Sequence, residues 1–350
     1  MAVASCIVRA PNWIGDAVMS LGALREIRRA LGSAHLAIAA RPWVAGIYEE
    51  ARIADRVIQL ERRTWRDAIA ASREIRIGGY DCAVLLQNAF EAALVMRLAG
   101  VPRVVGYPTD GRGLLLTDSI AQGAHARAEH ETRYYGRIAS GFEKAVFGAS
   151  HVDVDKLDVT LTPAGETVDR ARAILEQFSI PADAPIVAIN PGATNSRAKQ
   201  WLPERFAAVA DALADRHGAH VVIVGSGNEL DTAMAVQAAV KDQARAVVIA
   251  GATTVRDLIG VLSLASALVS NDTGPAHLGA ALGIPTVTIF GPTEQFATHP
   301  VGAHATTVSE PVDCAPCMLR DCPIDHPCMT RLTVDKVLDA MRSVSEVTPP

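Results

Sequence analysis

Residues 270–293 read SNDTGPAHLGAALGIPTVTIFGPT. The stretch opens on the end of the run ALVSN, which is short and apolar enough for a strand buried on both faces. Asp272 and Thr273 are helix-capping residue types, and Gly274-Pro275 begin a helix. Proline suits that place because the amide it lacks would have no partner in a first turn. PAHLGAALG continues in helical pattern, and TVTIF is a second apolar run. Strand, tight turn, helix and strand form a crossover unit, which requires a parallel sheet covered by helices.

The same alternation extends outward. Upstream lie strands at IVAIN, HVVIVG and AVVIAG, separated by helices at ERFAAVADALADRHG, ELDTAMAVQAAV and TVRDLIGVLSLA. In the first half, strands are expected at SCIVRA, AHLAIAA, RVIQL, CAVLLQ and RVVGY. A first helix follows Asp16, with Leu21, Leu24, Ile27 and Leu31 at helical spacing and Gly32 as its stop. Two runs of this kind predict an α/β chain with two doubly wound Rossmann-like domains. Between them, HVDVDKLDVTLTPAGETVDRARAILEQFSIPADAP is acidic, then helical, then punctuated by proline. The expected division is a first domain over 1–165, a linker at 166–183, a second domain over 184–332 and a last helix within 333–350.

Composition narrows the class. The chain has 350 residues, 49% hydrophobic and 20% charged, as in an ordinary globular protein of two domains. No apolar run reaches the roughly 18 residues of a membrane span. MAVASCIVRAPN lacks a basic start and a long apolar core, so a secretory signal is not expected and a cytoplasmic location is. Six cysteines in a chain of this length do not make a disulfide framework. Residues 1–150 hold 19 Lys and Arg against 15 Asp and Glu, nearly all of the basic ones arginine, while residues 151–350 hold 14 against 23. This asymmetry fits either a solvated mixed surface or a first half that meets an anionic partner. Nucleic-acid binding is not expected at net charge −5 without a basic stripe. A dehydrogenase is disfavoured because no G-x-G-x-x-G follows a strand.

Three loops at the carboxyl ends of second-half strands carry candidate chemistry. NPGATNSRAKQW has a Pro-Gly turn, small residues that expose amides, and Lys199 as a point charge. It resembles a phosphate cradle without P-loop spacing; otherwise Lys199 is a solvated lysine. In GSGNELD, Glu229 stands where a carboxylate accepts two hydrogen bonds from a ribose diol, or where a helix dipole favours any acid. In the third loop Thr273 and the open amides after it suit a pyrophosphate, and His277 lies on the same first turn. A well-capped helix with an incidental histidine is the plainer reading. Cys314, Cys317, Cys322 and Cys328 are either a structural metal cluster or a packed loop of reduced thiols. The acidic DVD at 153–155 is read as solvated charge.

RAPNWIGDAVMS, residues 9–20, is the corresponding turn of the first half, with one glycine and then a carboxylate, Asp16. A carboxylate there suits the helix dipole but repels phosphate. RAPNWIGDAVMSLGALREIR, INPGATNSRAKQWLPERFAAVADAL, the 270–293 block and CAPCMLRDCPIDHPCM, in this order, resemble the lipopolysaccharide heptosyltransferases of glycosyltransferase family 9. The likeness is strongest to the heptosyltransferase II type and runs from residue 7 to about 342. It implies a GT-B fold, an acceptor-binding first domain, an ADP-heptose-binding second domain, and a last helix returning to the first. It implies Asp16 as catalytic base at the cleft. It gives Thr194, Lys199, Glu229, Asp272, Thr273, Gly274 and His277 as donor-binding residues. It further implies inversion, no required cofactor or metal, and an anionic lipid A-core acceptor at the inner leaflet, met by the first-half arginines. A GT-B sugar-nucleotide epimerase, a transferase of other acceptor specificity and a non-catalytic sugar-nucleotide binder stay open as alternatives. Asp16 disfavours the last, since a pure binder needs no base.

Overall fold

The computed structural model describes residues 3–61, 64–121, 129–194 and 196–345, and the chain divides into two units, 1–159 and 160–350. The first unit holds strands β1 (Ser5–Arg9), β2 (His35–Ala40), β3 (Arg56–Gln59), β4 (Cys82–Leu85), β5 (Arg103–Gly106) and β6 (Asp118–Ser119). They form one parallel sheet in the order β3-β2-β1-β4-β5-β6. The second unit holds β7 (Ile186–Asn190), β8 (His220–Ile223), β9 (Ala246–Val248), β10 (Ala265–Asn271), β11 (Thr286–Phe290) and β12 (Ala305–Ser309). Their order is β12-β11-β10-β7-β8-β9, again parallel throughout. Read from its own first strand, each sheet has the same doubly wound order, with a switch point beside that strand. These are the two α/β units of a GT-B fold.

Central strands are apolar along their whole length because helices cover both faces: Ile7, Val8, Leu36, Ile38, Val84 and Leu85 are all fully buried. The same is true of Val187, Ile189, Leu268, Val269, Val287 and Ile289 in the second sheet. The strands not foreseen from sequence, β6 and β12, lie at sheet edges. The β6 strand has two residues, and β12 (ATTVS) is mostly half-buried and threonine-rich, so neither shows an apolar run.

One expectation needs correction, and two segments gain detail. The first helix does not start after Asp16 but contains it, and it is broken: Ile14–Met19 is followed by Leu21–Leu31. Ser20 at the joint turns its hydroxyl back onto the Ala17 carbonyl at 2.8 Å, a bond that competes with the helical ladder. The supposed linker at 166–183 is largely helix, Gly165–Gln177, and belongs to the second unit. Its Thr167, Ala171 and Leu175 are buried, and it packs on helix Val255–Ser263 at Gly260, where a Cβ would stand 2.5 Å from the Thr167 carbonyl oxygen. The last helix, Val334–Ser345, was expected to return to the first domain. It packs on β11, β12 and helix Pro203–His217, with Val337, Met341 and Val344 in the second unit's core.

Candidate functional site

Open parallel sheets bind ligands at the carboxyl ends of strands flanking the switch point. In the second unit those strands are β7 and β10, and each ends on a buried asparagine. Asn190 Nδ2 donates to Ser270 Oγ at 2.9 Å and to Thr273 Oγ1 at 2.7 Å. Asn271 Nδ2 donates to the Pro191 carbonyl at 2.7 Å, while its Oδ1 accepts from the Trp201 amide at 3.1 Å. The pair laces one loop to the other. Neither asparagine was singled out from sequence, although an amide closing an apolar strand was the available signal.

On this frame Lys199, in the one-turn helix Arg197–Lys199, points its ammonium at the turn ahead of helix Gly274–Ala281. Its Nζ lies 2.7 Å from Asp272 Oδ2 and donates to the Asp272 carbonyl at 3.2 Å. Thr293 Oγ1 donates to the same carboxylate oxygen at 2.7 Å. The Asp272 side chain is only 6% exposed, against 25% for Lys199, so the buried carboxylate anchors the partly exposed lysine. Thr273 is the N-cap of helix Gly274–Ala281 but makes no side-chain cap bond; its hydroxyl instead donates to the Asn271 carbonyl at 3.3 Å. The Gly274 amide therefore opens that helix without a capping side chain, while Pro275 has no amide and the Ala276 amide donates to the Thr273 carbonyl at 3.1 Å. His277, on the same first turn, is buried.

The third loop closes the arrangement. Glu229 Oε2 accepts from the Ser226 amide at 2.7 Å and the Ser226 hydroxyl at 2.8 Å, a capping box. Its Oε1 accepts from Thr194 Oγ1 at 3.1 Å. Gly192 makes this contact possible, because a Cβ there would collide with the Glu229 carboxyl group. Thr194, Lys199, Glu229, Asp272, Thr273, Gly274 and His277 thus lie on three tied loops. The assembly offers a cation and a helix N-terminus to an anion, and a carboxylate to hydroxyls.

In the first unit Asp16 is the third residue of helix Ile14–Met19, immediately beyond β1. Tyr135, buried on helix Glu131–Phe147, donates its hydroxyl to Asp16 Oδ1 at 3.2 Å. Glu131 lies one turn earlier on that helix. Burial, then the Asp16 and Glu129 charges, pushes its carboxyl up to about 7. Burial and the Asp16 charge likewise raise the Tyr135 phenol. These two groups were missed because helix Glu131–Phe147 itself was not read from the sequence.

Many of the described arginines of the first half are held within their own unit. Arg25, Arg28, Arg29, Arg103, Arg133 and Arg137 pair with Asp158, Asp55, Glu26 and Glu143, Asp118, Asp155 and Glu129. Buried Arg9, Arg41 and Arg112 donate to backbone carbonyls. The DVD acids pair similarly, Asp153 with Lys156 and Asp155 with Arg133. Cys314 and Cys317 are exposed and Cys328 buried, and all four cysteines of the motif are free thiols. Burial, then the other three sulfurs, raises the Cys328 thiol. Among the described residues no three His, Cys, Asp or Glu side chains gather as metal ligands. No described helix is long and apolar enough to cross a membrane.

Residues 68–327 match the model of glycosyltransferase family 9 (heptosyltransferase). The chain is 26% identical over 309 residues to lipopolysaccharide heptosyltransferase 2 of Escherichia coli K12, covering 86% of this chain and 87% of that protein. It is 24% identical over 310 residues to lipooligosaccharide heptosyltransferase 2 of Haemophilus influenzae, with the same two shares. The solved structure of E. coli ADP-heptose lps heptosyltransferase II superposes with a TM-score of 0.82 at 24% identity, over 97% of this chain and 98% of that one. At that identity the superposition speaks for the fold.

Proposed function

Because the chain belongs to glycosyltransferase family 9, the heptosyltransferases, and is a glycosyltransferase, we propose that it moves heptose from ADP-heptose to the Kdo/heptose inner core of a lipid A-linked acceptor, in the manner of heptosyltransferase II. One observation carries the donor half of this reading. Lys199, the Gly274 amide end and the Thr194–Glu229 pair share the switch point of the second sheet. A nucleoside diphosphate has the matching groups, a diphosphate for the cation and helix end and a ribose diol for Glu229. Asp272, being buried, serves by holding Lys199 in place.

In the reaction the acceptor hydroxyl passes its proton to the Asp16 carboxylate as its oxygen bonds to the anomeric carbon. The bond from that carbon to the diphosphate breaks, and its electron pair leaves on a phosphate oxygen. Lys199 and the helix amides meet the charge that builds there. A single base and in-line attack give inversion. Tyr135 fixes the rotation of the Asp16 carboxylate through Oδ1. An acceptor carried by lipid A places the reaction at the cytoplasmic face of the inner membrane.

The test is product mass spectrometry with ADP-heptose and inner-core acceptor, alongside calorimetry of ADP and UDP. Expected are an acceptor heavier by one heptose and a clear preference for ADP. Conversion of the donor without acceptor would instead assign an epimerase. The lysine and helix end also replace a divalent cation in this scheme, so transfer is expected to persist in chelator. Loss of activity restored by magnesium would overturn that part.

A further inference from the structure

Two tryptophans at the mouth of the first sheet have no place in the chemistry so far. Trp13, the N-cap of helix Ile14–Met19, is 61% exposed, and Trp43, in the first turn of helix Pro42–Ala51, is 56% exposed. They follow neighbouring strands β1 and β2, which run parallel, so both stand at the carboxyl end of the sheet. The Trp43 indole N–H donates to the Asn12 carbonyl at 2.7 Å. Asn12 is itself fixed, its Oδ1 accepting from Arg9 at 3.0 Å while the same guanidinium holds the Ala10 and Ala39 carbonyls. The loop between β1 and Asp16 is therefore tied down by side-chain hydrogen bonds, with one indole built into it and a second bonded to it.

Exposed rings of this size forfeit the burial that usually places tryptophan in a core. With the Trp43 N–H already satisfied, its ring faces are what remain to offer a ligand. Asp16 follows Trp13 by three residues. Trp13 at the N-cap and Asp16 at the third helical position share one first turn, and Trp43 is bonded to the same loop at Asn12. We propose that Trp13 and Trp43 form the stacking surface for the acceptor saccharide, taking the apolar C–H face of a pyranose and turning one hydroxyl toward Asp16. This rests on the transferase reading above, in which the acceptor is a sugar. It also gives the acceptor a contact that does not draw on the arginines already paired within the unit.

The test compares Trp13→Ala and Trp43→Ala with the unaltered protein on two acceptors, the lipid-bearing core and the same oligosaccharide freed of its acyl chains. Each substitution should raise acceptor KM about tenfold on both acceptors. Donor KM and melting temperature should be unchanged, and Trp43→Phe, which keeps a ring, should recover part of the loss. A defect confined to the lipid-bearing acceptor would overturn the proposal and make the indoles a bilayer contact. Unchanged KM on both acceptors would overturn it too. The absence of transfer by the unaltered protein would instead sink the transferase reading itself, a separable result.

Discussion

Asp16 is the residue on which the first unit's role turns. Asp16→Asn keeps the side chain's size and lets Oδ1 go on accepting from Tyr135, so the fold should be retained. Loss of a general base costs about 10²- to 10⁴-fold in rate. Single-turnover rates should fall by that order while ADP affinity, assigned to the second unit's loops in the proposed reaction, stays near normal. A helix-terminal carboxylate with no catalytic part would give the reverse, a slightly lower melting temperature and ordinary turnover. Glu131 supplies a second test at this scale. Its carboxyl titrates near 7 in the folded protein, against an ordinary value of 4.5. The folded state therefore binds more protons than the unfolded one between those values, and its stability falls as pH rises through that window. Glu131→Gln removes the titration, so its melting temperature should gain on the unaltered protein from about pH 5 to 7 and level off above that. Parallel curves would show that Glu131 is not held in this way. Sequence made Asp16 and Lys199 legible because each stands in a patterned block. It hid Asn190, Asn271, Tyr135 and Glu131, whose importance comes from partners distant in the chain.

At the level of elements, periodicity found the buried strands and the second half's main helices, but it missed the longest helix, Glu131–Phe147, and the junctions between elements. The first helix is interrupted at Ser20, whose hydroxyl bonds back to the Ala17 carbonyl, a detail no periodicity carries. The segment between domains looked like a linker because of its prolines and acids. Its helix nevertheless buries one face against Val255–Ser263. Gly260 sets that contact, and Gly260→Ala drives a methyl into the Thr167 backbone, which cannot rotate away. Overpacking of this kind costs about 1–3 kcal/mol. At roughly 2–4 °C per kcal/mol for a unit of this size, a drop of several degrees should appear in thermal denaturation. An unshifted transition would mean that the two helices do not pack as described.

For the molecule as a whole, alternation of strand and helix was enough to give two doubly wound units, while the strand order, which right-handed crossovers restrict without fixing, came from the structure. Ownership of the last helix was not legible, since an amphipathic pattern shows that a face is buried but not against what. Its place in the second unit predicts the effect of ending the chain at 333. Val337, Met341 and Val344 would leave that core, at about 1.5–3 kcal/mol each, a sum comparable to the whole stability of a typical domain. Hydrogen exchange on the shortened protein should show protection lost across 160–333 and kept in 5–121. Protection kept throughout would return the helix to a peripheral role.

The doubly wound order also governs how the chain reaches its structure. At the centre of each sheet the pairing is remote in sequence: Cys6 lies beside Cys82, and Leu268 beside Ala188. During synthesis β1 must wait for β4 with one edge unpaired, and β7 waits in the same way for β10. Such long closures slow folding and leave apolar strand edges open to other chains. The same topology that lays two chemical loops side by side at β7 and β10 therefore makes nascent chains dependent on dilution or chaperone protection.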